Sequence, residues 1–136
     1  MQPIEVEILK KIEIDNKSVS LRSDGIVHVS INTSEDVEVK DVIEIVAAVE
    51  EIGNGKKFPL LIKSQKYTLP SAEARAYIAT PESNPFASAE AYVIQSFSQK
   101  LVGNIFISFN KPARPTRIFT SEEKAIEWLQ TFLQSA

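Results

Sequence analysis

The chain has 136 residues, of which 43% are hydrophobic and 24% are charged, a composition typical of one folded domain that buries its own core. It contains no cysteine and one histidine, which excludes disulfides, thiolate chemistry and an ordinary zinc site. The net charge of -3 gives no electrostatic reason to bind nucleic acid. No stretch has the length of a membrane span or the apolar core of a signal peptide, so the sequence predicts a cytoplasmic protein.

The first 17 residues carry two competing patterns. Ile4, Val6 and Ile8 alternate as in a strand, whereas Ile4, Ile8 and Ile12 recur as in a helix. The two patterns leave the structure of this segment open. A single α/β domain is predicted for the remainder, residues 18–136.

That domain begins with a predicted β-hairpin from Ser18 to Ile31. Apolar residues alternate on both sides of Asp24-Gly25. This pair is a strong hairpin signal, because aspartate and glycine tolerate the positive φ of a tight turn.

Helical and strand patterns alternate after the hairpin. Apolar residues at helical spacing predict a helix over Val39–Ile52, which ends at Gly53-Asn54-Gly55. The elements predicted after it are a buried strand at Phe58–Ile62, a helix at Ala72–Ala79, a strand around Glu90–Gln95, a third helix, a strand at Ile118 and Phe119, and a closing helix. The order ββαβαβαβα predicts an α/β fold with a mostly parallel sheet.

The last two helices carry signals at their starts and along their length. Thr120 with Glu123, and Ser96 with Gln99, have the spacing of capping boxes. In the third helix Gly103 predicts a close packing contact, since glycine costs a helix about 1 kcal/mol relative to alanine. Four large apolar residues of that helix fall on one line at four-residue spacing: Phe97, Leu101, Ile105 and Phe109.

Four motifs and their order resemble the STAS-like family of small bacterial proteins, which share the fold of the anti-sigma-factor antagonists: DGIVHVSI, FPLLIK, SAEARAYIA and RIFTSEEKAIEWL. The similarity spans Ser18 to Phe132. It implies a mixed sheet of four to five strands flanked by helices, and a role in binding rather than catalysis. In the phosphoswitch antagonists a serine after the middle strand lies in an aspartate-x-serine-glycine context. Ser64 lacks that context, so the resemblance implies the fold more directly than the switch.

A candidate site is predicted where the central strand ends. Ser64, Thr68 and Ser71 follow this strand, and ligands of open α/β sheets bind outside the carboxyl ends of strands. Ser71 is either a helix N-cap, worth about 1 kcal/mol, or a residue that binds or carries an anion. Arg75 and Arg117 are predicted either to face an anion or an acidic partner, or to lie on a solvated surface.

The sequence contains no set of nucleophile, base and orienting group and no cluster of metal ligands, which predicts a domain without enzymatic activity, cofactor or metal. The leading hypothesis is a regulatory module that binds another protein, or a second copy of itself as a homodimer, through the second helix and the loop before it. The alternative is a carrier or sensor of a small apolar or anionic ligand. Its pocket would form if the third helix stands off the sheet, with four aromatic residues available to line it: Phe86, Tyr92, Phe97 and Phe106.

Overall fold

The computed structural model of the chain describes residues 5–133. Within this range six strands form one sheet, in the order of the sequence. They are β1 (Ile8–Ile14), β2 (Lys17–Arg22), β3 (Val27–Ile31), β4 (Phe58–Ser64), β5 (Ala87–Val93) and β6 (Thr116–Phe119). Strands β1 to β3 pair antiparallel, and β3 to β6 pair parallel. The fold is therefore α/β with a mixed sheet, as predicted, but the expected four to five strands are six.

The additional strand, β1, comes from the segment whose two patterns competed. It pairs with β2 so that Ile12 lies opposite Val19. Ile12 and Ile14 pack against the core, whereas Ile8 is 54% exposed. Only one face of this edge strand is covered, and only along part of its length, which explains why its alternating pattern is weak. The part of the pattern at Ile4 lies outside the described residues.

The predicted hairpin is confirmed as β2 and β3. Gly25 has a φ of 86°, which is the left-handed conformation that the Asp-Gly pair predicts. The Asp24 carboxylate accepts the amide N–H of Ile26 at 3.2 Å and pairs with Arg22 at 2.7 Å. The side chain of Asp24 therefore stabilises the turn through these two contacts.

Four helices connect or follow the strands: α1 (Val39–Ile52), α2 (Ala72–Ile78), α3 (Phe97–Ile105) and α4 (Glu122–Gln130). The bounds of α1 are those predicted. A 3-10 turn at Pro81–Ser83 follows α2, and a π-helical turn at Phe106–Asn110 extends α3. Among the described residues, no helix combines the length and the apolar character needed to cross a membrane.

The path of the chain decides which face each helix covers. From β3 to β6 every parallel crossover moves to the next strand in the same direction. Because such crossovers are almost always right-handed, α1, α2 and α3 are expected on one face of the sheet. The packing agrees, since Val29 and Leu60 of the sheet share a core with Val49 of α1. The closing helix α4 covers the opposite face, where Leu129 packs with Leu61.

Both predicted capping boxes differ from the structure. Helix α4 begins one residue later than predicted, with Ser121 as its N-cap accepting the Lys124 N–H at 3.3 Å. Helix α3 does begin at Ser96, which accepts the Gln99 N–H at 3.2 Å. The Gln99 side chain does not return to Ser96, however, because it points into the protein and is 6% exposed.

Candidate functional site

A cavity of about 140 Å³ lies between the sheet and the three helices on its larger core face. Its wall is mostly apolar and it is partly open to solvent. The apolar wall comes from the sheet and from the helices on this face, and it includes Val29 and Ile31 of β3, Leu60 and Ile62 of β4, Ile45 of α1, Val102 of α3 and Ile118 of β6. A dry apolar cavity of about 150 Å³ holds benzene. This cavity therefore matches a ligand body of about the size of benzene.

The cavity exists because of the residues that α3 turns towards the sheet. Its inward face consists of Gln99, Val102, Gly103 and the following Phe106. Two of these four, a polar amide and a residue without a side chain, do not fill apolar space. A Cβ at Gly103 would collide with Ile118, so the predicted close contact at this glycine is confirmed. Helix α3 therefore touches the sheet at Gly103 and leaves space beside that contact.

The apolar line along α3 faces away from the cavity. The exposed fractions are 73% for Phe97, 50% for Leu101, 45% for Ile105 and 80% for Phe109. A surface helix usually buries its largest apolar residues, and α3 does the reverse. We call these four residues the α3 apolar line.

Two of the four aromatic residues predicted to line a pocket are in the cavity wall, and two are not. Tyr92 and Phe106 are in the cavity wall, with their rings edge to face at a centroid distance of 5.9 Å. Phe86 packs against the larger core cluster, and Phe97 is exposed.

Gln99 closes the end of the cavity at the carboxyl ends of the strands. Its Nε2 donates to the carbonyl oxygens of Gln65 at 2.7 Å and Thr68 at 3.0 Å, while its Oε1 accepts the Gln95 N–H at 2.7 Å. The loop that receives these bonds is held from the other side, because the Thr68 hydroxyl donates to the Thr33 carbonyl. One buried amide thus joins α3 to the loop between β4 and α2.

A buried ion pair lies on the opposite side of the cavity. Glu90 of β5 points into the cavity wall and lies 3.7 Å from the Arg114 guanidinium, and the two side chains are 4% and 7% exposed. Arg114 also donates to the carbonyls of Ile78 and Thr80, both at 2.8 Å. The Tyr92 hydroxyl donates to Glu90 at 3.0 Å. The carboxylate and the guanidinium are therefore both enclosed and both hydrogen-bonded.

Burial raises the pKa of Glu90, and this effect is opposed by the attraction of Arg114 and by the hydrogen bond from Tyr92. The same burial, together with the Glu90 charge, raises the pKa of Tyr92 well above its usual range, so the phenol stays protonated and donates a hydrogen bond to Glu90. In this network the Glu90 charge is compensated by Arg114, and the Tyr92 hydroxyl is a permanent hydrogen-bond donor.

Arg75 is the cationic side chain among the residues of the cavity wall, which do not include Arg114. It projects from α2 into the wall, and its Nη1 donates to the Pro70 carbonyl at 2.9 Å. Its Nε is buried and has no hydrogen-bond partner among residues 5–133. The described residues therefore leave the Arg75 guanidinium incompletely hydrogen-bonded.

The five residues predicted from the sequence do not form one site. Ser64, Thr68 and Arg75 line the cavity. Ser71 is outside the wall and is the N-cap of α2, accepting the Ala74 N–H at 3.0 Å. Arg117 lies towards the other face of the sheet, with its guanidinium 5.2 Å from the centroid of the Phe119 ring.

Sequence reasoning missed Gln99, Glu90 and Arg114 as parts of the site. In the sequence, Gln99 has the position of a capping-box residue, and Arg114 is one of several cations before the last strand. One signal was present for Glu90, since an acidic residue inside a central strand is rarely buried without a partner.

Comparison with known proteins identifies a family but no characterised relative. Neither the curated proteins nor the solved structures contain a match to this chain. A protein-family model described as a domain of unknown function, DUF7793, matches residues 19–133, from β2 to the end of α4. The matched region includes every residue of the cavity wall. The chain therefore belongs to the DUF7793 family.

Proposed function

We propose that this domain binds a small, mainly apolar ligand in the cavity and acts as a carrier or sensor. The observation that supports the proposal is the cavity itself, because small-molecule sites are typically concave, mostly apolar and lined by a few polar groups. A natural cavity of about 140 Å³ with a few polar groups in an apolar wall has the character of a ligand site. The domain would act by binding, without turnover.

The test compares two phenylalanine substitutions on opposite sides of α3. Val102→Phe places a ring in the cavity, whereas Leu101→Phe adds a ring on the exposed side of the same helix. A small apolar probe such as benzyl alcohol is expected to raise the melting temperature of wild type by about 4 °C at ten times its Kd. We expect Val102→Phe to abolish this shift and Leu101→Phe to keep it, as measured by thermal unfolding with and without the probe.

Two results would contradict the proposal. The first is an unchanged melting temperature of wild type with every small apolar probe up to its solubility limit. The second is an equal shift in Val102→Phe and wild type, which would place the bound probe outside the cavity.

A second candidate function is supported by the α3 apolar line. Exposed apolar residues that adjoin one another mark interaction surfaces more often than isolated ones do. We propose that a second copy of this chain covers the line, in a homodimer, and that the domain is a STAS-like interaction module. The loop before α2, with Tyr67 70% exposed, is bonded to the start of α3 through Gln99 and would lie beside this interface.

Sedimentation velocity tests this candidate. The double substitution Phe97→Ser and Phe109→Ser is expected to convert a wild-type dimer to monomer, because the burial of each phenylalanine contributes about 1.5–3 kcal/mol. Ile43→Ser, at a 52% exposed position of α1, is the matched control and is expected to leave the dimer intact. A wild-type monomer at all concentrations, or a dimer that survives the double substitution, would rule out this interface.

A further inference from the structure

No Asp or Glu carboxylate of residues 5–133 lies within 4.0 Å of the Arg75 guanidinium, so this part of the chain supplies no counter-charge to it. Its Nε is a buried donor without an acceptor in the same part of the chain. A cation in a mostly apolar wall is stabilised by an opposite charge, which a bound anion would supply.

The guanidinium of Arg75 is held in place and keeps a donor that a carboxylate can bind. Nη1 is engaged with the Pro70 carbonyl, which fixes the guanidinium, and Nη2 has no hydrogen-bond partner among the described residues. An N–H of a guanidinium forms a charge-assisted hydrogen bond with a carboxylate oxygen. The bond to Pro70 thus orients the remaining donors before any ligand binds.

The other charged groups near the cavity favour an anion over a cation. Glu90 is the acidic side chain in the wall, and it is already paired with Arg114 and bonded by Tyr92. A cationic ligand would therefore find no uncompensated carboxylate among the wall residues. One free guanidinium without a glycine-rich loop suits a single negative charge better than a phosphate, which needs more donors.

We propose that the ligand is a small monocarboxylate, with an apolar body of about the size of benzene and a carboxylate that binds Arg75. This assignment rests on the proposed ligand-binding function and adds the chemical class of the ligand. The apolar wall holds the body, and Arg75 selects the charged end.

Calorimetric titration with two pairs of near-isosteric probes tests the assignment: isocaproate against isocaproamide, and benzoate against benzamide. At neutral pH, wild type is expected to bind each carboxylate about ten- to a hundredfold more tightly than its amide, the usual effect of a hydrogen-bonded charge. Arg75→Met should bring the ratio of the two affinities close to one, mainly by weakening the binding of the carboxylate. Arg117→Met makes the same change towards the opposite face of the sheet and should retain the preference.

The outcomes separate this assignment from the function on which it rests. Equal affinity of wild type for both members of each pair would overturn the carboxylate assignment while leaving the cavity as a ligand site. The same conclusion follows if folded Arg75→Met keeps the preference. Failure of all four probes to bind wild type would overturn both. The comparison on wild type needs no variant, so it holds even if Arg75→Met does not fold.

Discussion

Replacing Arg114 with methionine is expected to lower the free energy of unfolding by about 3–5 kcal/mol, the usual cost of removing one partner of a buried ion pair. The substitution would leave Glu90 enclosed without its counter-charge, and its side chain is 4% exposed. It would also remove the donors to the carbonyls of Ile78 and Thr80. Urea unfolding followed by circular dichroism measures the change.

Arg117→Met is the matched control for this prediction. Arg117 stacks over Phe119 and Trp128 at 5.2 and 5.7 Å, and such exposed contacts contribute about 0.5–1 kcal/mol. A loss for Arg114→Met that is no larger than the loss for Arg117→Met would show that the buried pair is not a main contribution to stability.

The pH dependence of Arg114→Met provides a separate signature. Burial already raises the pKa of Glu90, and loss of Arg114 removes the attraction that opposes this rise. The native state then holds a proton that the unfolded state, with a glutamate pKa near 4.3, releases. The raised pKa of Glu90 therefore contributes stability that is fully present below the unfolded value and is lost as pH rises through the folded pKa. The free energy of unfolding of the variant should fall with rising pH more steeply than that of wild type. Adding Glu90→Gln to Arg114→Met should remove the extra slope.

Replacing Gln99 with leucine is expected to lower the free energy of unfolding by about 2–4 kcal/mol, because buried carbonyls lose their donor. The carbonyls of Gln65 and Thr68 and the amide of Gln95 would all lose their bonds to this side chain. Because those bonds join α3 to the loop, amide protons of α3 should exchange faster with solvent. Hydrogen exchange followed by mass spectrometry measures the second effect.

Lys100→Leu is the control, since Lys100 is adjacent to Gln99 and exposed. It is expected to change stability by less than about 0.5 kcal/mol. If Gln99→Leu proves as stable as wild type, or if its α3 amides exchange at the wild-type rate, then α3 is held by contacts other than this amide.

The parts of the fold that the sequence predicted are those with one consistent periodicity. Helix α1 was predicted to the residue because its apolar spacing and its glycine stop agree. Strand β1 was not, because half of its apolar residues are exposed at the sheet edge. Helix α3 was located correctly, but its orientation was not apparent. Two stripes run along it, and the stripe with the larger apolar residues is the one that faces solvent.

The site was predictable only at its end near the carboxyl edge of the sheet. The general rule for open α/β sheets predicted a site at Ser64, Thr68 and Ser71; Ser64 and Thr68 line the cavity, whereas Ser71 does not. The pairing of Glu90 with Arg114 joins residues on either side of α3, and no local pattern connects them. A cavity is space that side chains do not fill, and so it has no residue pattern of its own.

Methyl NMR of protein labelled at Ile, Leu and Val tests the central claim, that small apolar molecules enter this cavity. The titrants would be benzyl alcohol, isocaproamide and isocaproate, so that the result does not depend on the charge of the probe. We predict saturable shifts of methyl groups in the wall, such as those of Val29, Leu60 and Val102, with little change at Ile8 or Leu9 of β1. Unshifted wall methyls at saturating concentrations of all three probes, or shifts confined to the α3 apolar line, would contradict it.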